Sequence, residues 1–199
     1  MESIGVDKFI NNQIEKSIQI KQYVLDSEEL LYLIKEVSII AVKAYKKGNK
    51  ILIAGNGGSA ADAQHIAGEL VNKFYFDRSG LPAIALSTDT SVLTAISNDY
   101  GFDRIFARQI QANGVAGDLF LGISTSGDSS NIILALEECK RKGIITVGLT
   151  GQSGGRMSDM CDYCIKIPSE ETPRVQEAHI MVGHIICSII EEDIFGRGF

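Results

Sequence analysis

The stretch Ile51-Leu-Ile-Ala-Gly-Asn-Gly-Gly-Ser-Ala-Ala-Asp-Ala-Gln-His65 decides how the rest of the chain is read. Four apolar residues run into glycines, and an alanine-rich helical segment follows. A short, wholly apolar strand emptying through a tight turn into a helix opens a βαβ unit, whose sheet is buried on both faces. Four more apolar runs follow, at Ala83–Leu86, Asp118–Ile123, Ile144–Leu149 and Tyr163–Ile167, alternating with helical stretches. The expectation is an α/β fold, a three-layer sandwich with a five-stranded parallel, doubly wound sheet.

Upstream, residues 3–47 hold no proline, and Ile10, Ile14, Ile18, Ile20 and Val24 recur at helical spacing. Two helices broken near Asp26-Ser27 are predicted, an N-terminal extension (1–48) on an α/β core (49–199) within one domain. Downstream, Thr172–Phe195 is apolar on nearly every face through Val175, Ala178, Ile180, Met181, Val182, Ile185, Ile186, Ile189 and Ile190. Such a helix needs cover on most sides. A single 199-residue domain leaves little room for that, so the reading is a homo-oligomer with these helices packed between subunits.

Composition narrows the function classes. With 19 Lys and Arg against 25 Asp and Glu, the net charge of −6 supplies no field that draws nucleic acid. No run approaches the ~18 apolar residues that span a bilayer, and Met1–Asp7 lacks a basic, then apolar, leader, so a cytoplasmic protein without membrane contact is expected. Four cysteines, Cys139, Cys161, Cys164 and Cys187, read as reduced thiols. Cys161 and Cys164 form a C-x-x-C, but the run continues into strand-like alternation at Ile165 and Ile167, which favours a strand edge over a metal or redox site.

Two loops carry the candidate chemistry. Gly55-Asn-Gly-Gly-Ser-Ala60 lets backbone N–H groups approach an anion or sugar at a helix start, with Ser59 as the expected N-cap. It is neither G-x-G-x-x-G nor a G-K-[ST] loop, and a plain tight turn would also explain its glycines. Ser124-Thr-Ser-Gly-Asp-Ser-Ser-Asn131 precedes a helix expected over Ile132–Lys142. Hydroxyls of Ser124, Thr125, Ser126 and Ser129 beside free N–H groups suit a phosphate monoester, and six hydroxyl or amide residues in eight exceed what a serine-rich cap needs.

His65 and Glu69 lie four apart, on one helix face, where they can share a proton or a metal or form an ordinary ion pair. The final helix carries Gln176, His179 and His184, polar groups that are costly to bury without partners; a satisfied core histidine is the plain reading of His179. Gln176 and His184 are separated by ~12 Å along a helix, so one small ion is reached more easily if a neighbouring subunit supplies one of them.

Ala54–His65, Asn98-Asp99, Ser124-Thr-Ser126 and Thr172-Pro-Arg-Val-Gln-Glu-Ala-His179, together with Glu69 and His184, resemble the phosphoheptose isomerases of the sugar isomerase (SIS) fold along essentially the whole chain. The resemblance implies a flavodoxin-like SIS domain, a homotetramer with sites at subunit interfaces, and conversion of sedoheptulose 7-phosphate to D-glycero-D-manno-heptose 7-phosphate, the first step towards bacterial heptose nucleotides. It implies one zinc ion per subunit on His65, Glu69, Gln176 and His184. It further implies substrate contacts from Asn56, Gly57, Gly58, Glu69, Asn98, Asp99, Ser124, Thr125, Ser126, Ser129 and Gln176. Lys73 stands where some relatives carry arginine and inherits no role. Ketose to aldose conversion through an enediol needs a base and an acid, for which Glu69 and His184 are the candidates. A non-catalytic SIS module resembling the DnaA-associating initiator protein is the alternative, but that family lacks the Glu69–His184 pair. An SIS sensor domain is less favoured, since no helix-turn-helix or basic arm remains.

Overall fold

The computed structural model describes residues 3–196; the first two and last three residues of the expected domain lie outside the described residues. Helices α1 (Ser3–Asp26) and α2 (Glu28–Lys46) meet at Ser27, which caps α2 by accepting the Leu30 N–H. The core then runs β1 (Ile51–Gly55), α3 (Gly58–Val71), β2 (Ala83–Ala85), α4 (Thr90–Tyr100), a 3₁₀ turn (Phe102–Arg104) and α5 (Ile105–Asn113). It continues through β3 (Leu119–Ser124), α6 (Ser130–Lys142), β4 (Ile145–Thr150), α7 (Met157–Met160), β5 (Tyr163–Lys166) and α8 (Thr172–Phe195).

All five strands pair in parallel in the order β2-β1-β3-β4-β5. Their side chains alternate between two cores. Ile51, Ile53, Leu119, Leu121, Val147 and Leu149 pack under α2, α3 and α8, while Leu52, Ala54 and Phe120 pack under α5 and α6. The strand order reverses between β1 and β3, so the crevice beyond their carboxyl ends is the ligand position of an open α/β sheet. Both loops singled out in the sequence open there.

Helix α8 buries one stripe (Val175, Ala178, His179, Val182, Gly183, Ile186, Cys187, Ile190, Glu191) against the sheet and α3. It is not buried on most sides within one chain, because Ile185 on the opposite face is 38% exposed. A groove of ≈ 480 Å³ over that face is lined by Ile180, Met181, Ile185, Ile189, Tyr75 and His184. Helix α1 likewise shows Val6, Phe9, Ile10, Ile14 and Ile18 to solvent.

Candidate functional site

The glycine turn after β1 is built by close approach. A Cβ on Gly55 would stand 2.5 Å from the Ser59 carbonyl oxygen, and Gly57 takes φ +56°, a conformation that side-chain-bearing residues rarely adopt. Gly57, not Ser59, is therefore the N-cap of α3; Ser59 is buried inside the first turn, which corrects the expected cap. Asn56 exchanges two amide hydrogen bonds of 2.9 Å with Asn131, which ties this turn to the serine loop.

In that loop the Ser124 and Ser129 hydroxyls lie 2.9 Å apart and those of Ser124 and Ser126 3.4 Å apart. Helix α6 starts at Ser130, two residues before the expected Ile132, and Ser129 is its N-cap residue without a capping side-chain bond. Its hydroxyl turns towards Ser124 instead. Three hydroxyls thus converge beside the first N–H groups of α6, as an anion site requires. Thr125 is half-buried and its carbonyl accepts the Gly151 N–H, so the loop is braced against the end of β4.

Helices α3 and α8 both start at the carboxyl edge of the sheet and lie side by side. A Cβ on Gly58 would meet the Gln176 amide nitrogen at 2.4 Å, and one on Gly183 would meet Ile66 at 2.7 Å. Next to the second contact, His65 Nε2 lies 3.0 Å from Glu69 Oε1 and 3.0 Å from His184 Nε2. His65, Glu69 and His184 each offer a ligand atom within 4.8 Å of the others. A single ring nitrogen cannot serve both neighbours with one proton, and two imidazoles with a carboxylate are donors that suit a zinc-type cation. One chain therefore joins His184 to the His65–Glu69 pair without help from a neighbour. Gln176 lies by Gly58, seven residues before His65 or ~10 Å along the helix.

Asn98 and Asp99 sit exposed in the last turn of α4, a helix with no buried residue, and Asn98 donates to Asp99 Oδ1 at 2.9 Å. His179 is fully buried; its Nε2 bonds the Thr150 carbonyl at 3.1 Å, and burial pushes its pKa down to about 4, which keeps the ring neutral. Cys161 and Cys164 flank Gly148 as free thiols raised by burial, Cys161 to about 12, in keeping with a strand edge. No described helix is long and apolar enough to cross a membrane.

Two features escaped the sequence reading. Asp62, one turn before His65 on the same face, has a buried Oδ2 without a hydrogen-bond partner among the described residues; burial raises its pKa against the opposing pull of His65 and His184. The i, i+3 spacing to His65 was the available signal. Asn131 stood within the quoted loop, but its pairing with Asn56 spans 75 residues and leaves no local mark.

The family model of the SIS domain matches residues 15–151. The chain is 63% identical over 194 residues to the phosphoheptose isomerase of Aneurinibacillus thermoaerophilus, covering 98% of each chain. It is 62% identical to phosphoheptose isomerase 2 of Campylobacter jejuni, covering 98% of this chain and 97% of the relative. Among solved structures, a phosphoheptose isomerase from Francisella tularensis superposes with a TM-score of 0.90 at 39% identity, over 96% of this chain and 100% of the other.

Proposed function

The chain belongs to the SIS domain family and, within it, to the phosphoheptose isomerases, and from that premise we propose how its residues convert sedoheptulose 7-phosphate to D-glycero-D-manno-heptose 7-phosphate. The reaction moves hydrogen from C1 of the ketose to C2 of the aldose through an enediol. Glu69 takes the C1 proton and returns one at C2. His184 protonates the C2 carbonyl oxygen and accepts the proton of the C1 hydroxyl. Ser124, Thr125, Ser126 and Ser129 hold the phosphate, while Asn56, Gly57, Gly58, Asn98, Asp99 and Gln176 orient the sugar chain so that binding energy far from C1 aligns the reacting carbons. The meeting of His65, Glu69 and His184 carries this reading.

The same cluster fits one zinc ion per subunit on His65, Glu69 and His184, with a Gln176 supplied by a neighbouring subunit as the fourth donor. Zinc bound there would polarise the sugar oxygens as a Lewis acid.

Glu69 lies eleven residues, or about 16 Å, along α3 from Gly58, so the chemical and phosphate-binding halves of one chain point to different places. We infer a homotetramer, in the cytoplasm, in which the loops of one subunit close over the cluster of another and bring Gln176 with them. The apolar residues shown by α1 and the outer face of α8, and the absence of any buried residue on α4, support that cover.

Proton NMR of sedoheptulose 7-phosphate with the protein in D₂O, chelated and then with zinc restored, tests the proposal. The aldose phosphate should appear with deuterium at C2. A folded oligomer that gives no conversion in either condition would sink the reading in favour of a binding module.

A further inference from the structure

An ion pair ties the segment that follows α3 to α8, seven residues further along α8 than His184. Glu191 is 1% exposed, and its carboxylate accepts the Phe74 N–H at 2.7 Å, the Tyr75 N–H at 2.6 Å and Arg78 Nε at 2.8 Å. Burial would raise its pKa, but the Tyr75 and Phe74 N–H groups and the Arg78 guanidinium together hold it below the usual carboxylate range. Arg78 spends its other donors mainly on the end of α3: Nη2 on the Glu69 carbonyl and Nη1 on the Leu70 carbonyl, each at 2.8 Å, with Nη1 also on the adjacent Ser79 carbonyl at 3.0 Å. A cation there also faces the negative end of the helix dipole.

We propose that Arg78 and Glu191 are a positioning pair that fixes Glu69 relative to His184, an inference that rests on the roles just given to those two residues. On one side the pair grips the backbone of the base itself. On the other, Glu191 lies two turns from His184 on the same face of α8, and the segment it holds seats the Phe74 ring 5.6 Å from the His184 ring. Stability alone accounts poorly for such a pair, since a buried ion pair often gains nothing over well-packed apolar residues. Its distinctive property is direction, because five N–H donors in a fixed fork admit one arrangement of the carbonyls and carboxylate around them.

If the pair sets this alignment, loosening it slows the relay between carbon and oxygen and leaves the enediol longer to exchange with solvent. The test is Arg78→Lys, which keeps the charge but not the fork, with Glu191→Asp as a second variant should the first not fold. In D₂O, deuterium washed into C1 of recovered sedoheptulose 7-phosphate is compared with aldose formed, a ratio independent of how much protein is folded. The ratio should rise about tenfold and kcat fall by roughly ten- to a hundredfold, while KM changes less than about threefold. A wild-type ratio in the folded variants overturns the inference, whatever happens to kcat. If Glu69→Gln were active, the underlying roles would fail instead; an inactive Glu69→Gln beside a wild-type ratio in Arg78→Lys refutes the positioning pair alone.

Discussion

The two ends of the α3–α8 pair are built on opposite terms. Where the helices begin, Gly57, Gly58 and Gln176 sit beside the serine loop, and small residues leave backbone and hydroxyl groups open to a ligand. Further along, His65 and Glu69 stay 49% and 27% exposed, whereas Arg78, in the segment after α3, and Glu191, two turns beyond His184 on α8, are 2% and 1% exposed with their donors and acceptors taken up among themselves and the backbone. His65 and Glu69 bond chiefly within their own cluster and stay open to solvent, whereas the groups that hold the frame are buried and saturated. One helix pair carries both because its buried stripe fixes the register between them.

The sharpest break in this contrast is Glu69→Gln. It preserves shape but removes the proposed base, so turnover should fall by about 10³- to 10⁴-fold, or about 4–5.5 kcal/mol of barrier. Stability should scarcely move, since an exposed His–Glu pair contributes little. Activity assays alongside thermal melts check both halves; near wild-type turnover would remove Glu69 from the chemistry.

His179 sharpens the comparison from within α8, five residues from His184. Its folded pKa of about 4 lies below the ordinary 6.5 because the ring is buried, so the unfolded chain binds a proton in that interval that the folded chain does not. Stability is therefore lost as pH falls from 6.5 towards 4, by about 3 kcal/mol from this residue. His179→Gln should flatten that slope in urea melts between pH 7 and 4.5. An unchanged slope would mean that the ring is not held neutral.

Local pattern told much of this fold and less of the site. Strands such as Ile51–Gly55 and Leu119–Ser124 were legible because a strand covered on both faces is apolar throughout. The break at Ser27 was legible because a capping serine interrupts helical spacing. Ser59 misled, because it sits where a cap residue is common while the turn is made by the positive φ of Gly57. Arg78 and Glu191 were out of reach, since 113 residues separate them and each alone is an ordinary charge. How the two ends of α3 are divided between subunits was out of reach for a related reason: spacing gives distance along a helix but not which chain lies opposite.

That last point yields the smallest expected effect and the most direct test of the assembly. Chains carrying Glu69→Gln keep their serine loop, and chains carrying Ser126→Ala with Ser129→Ala keep their cluster. If a site takes its loops from one subunit and its cluster from another, random mixed tetramers hold intact sites in about one case of four, only about fourfold below wild type. Mixing Glu69→Gln with His184→Ala should restore nothing, because that pair meets within one chain. Native mass spectrometry verifies that mixed tetramers form before activity is read. Recovery in the second mixture but not the first would place the base and acid on different subunits and reverse the division of the site drawn from α3.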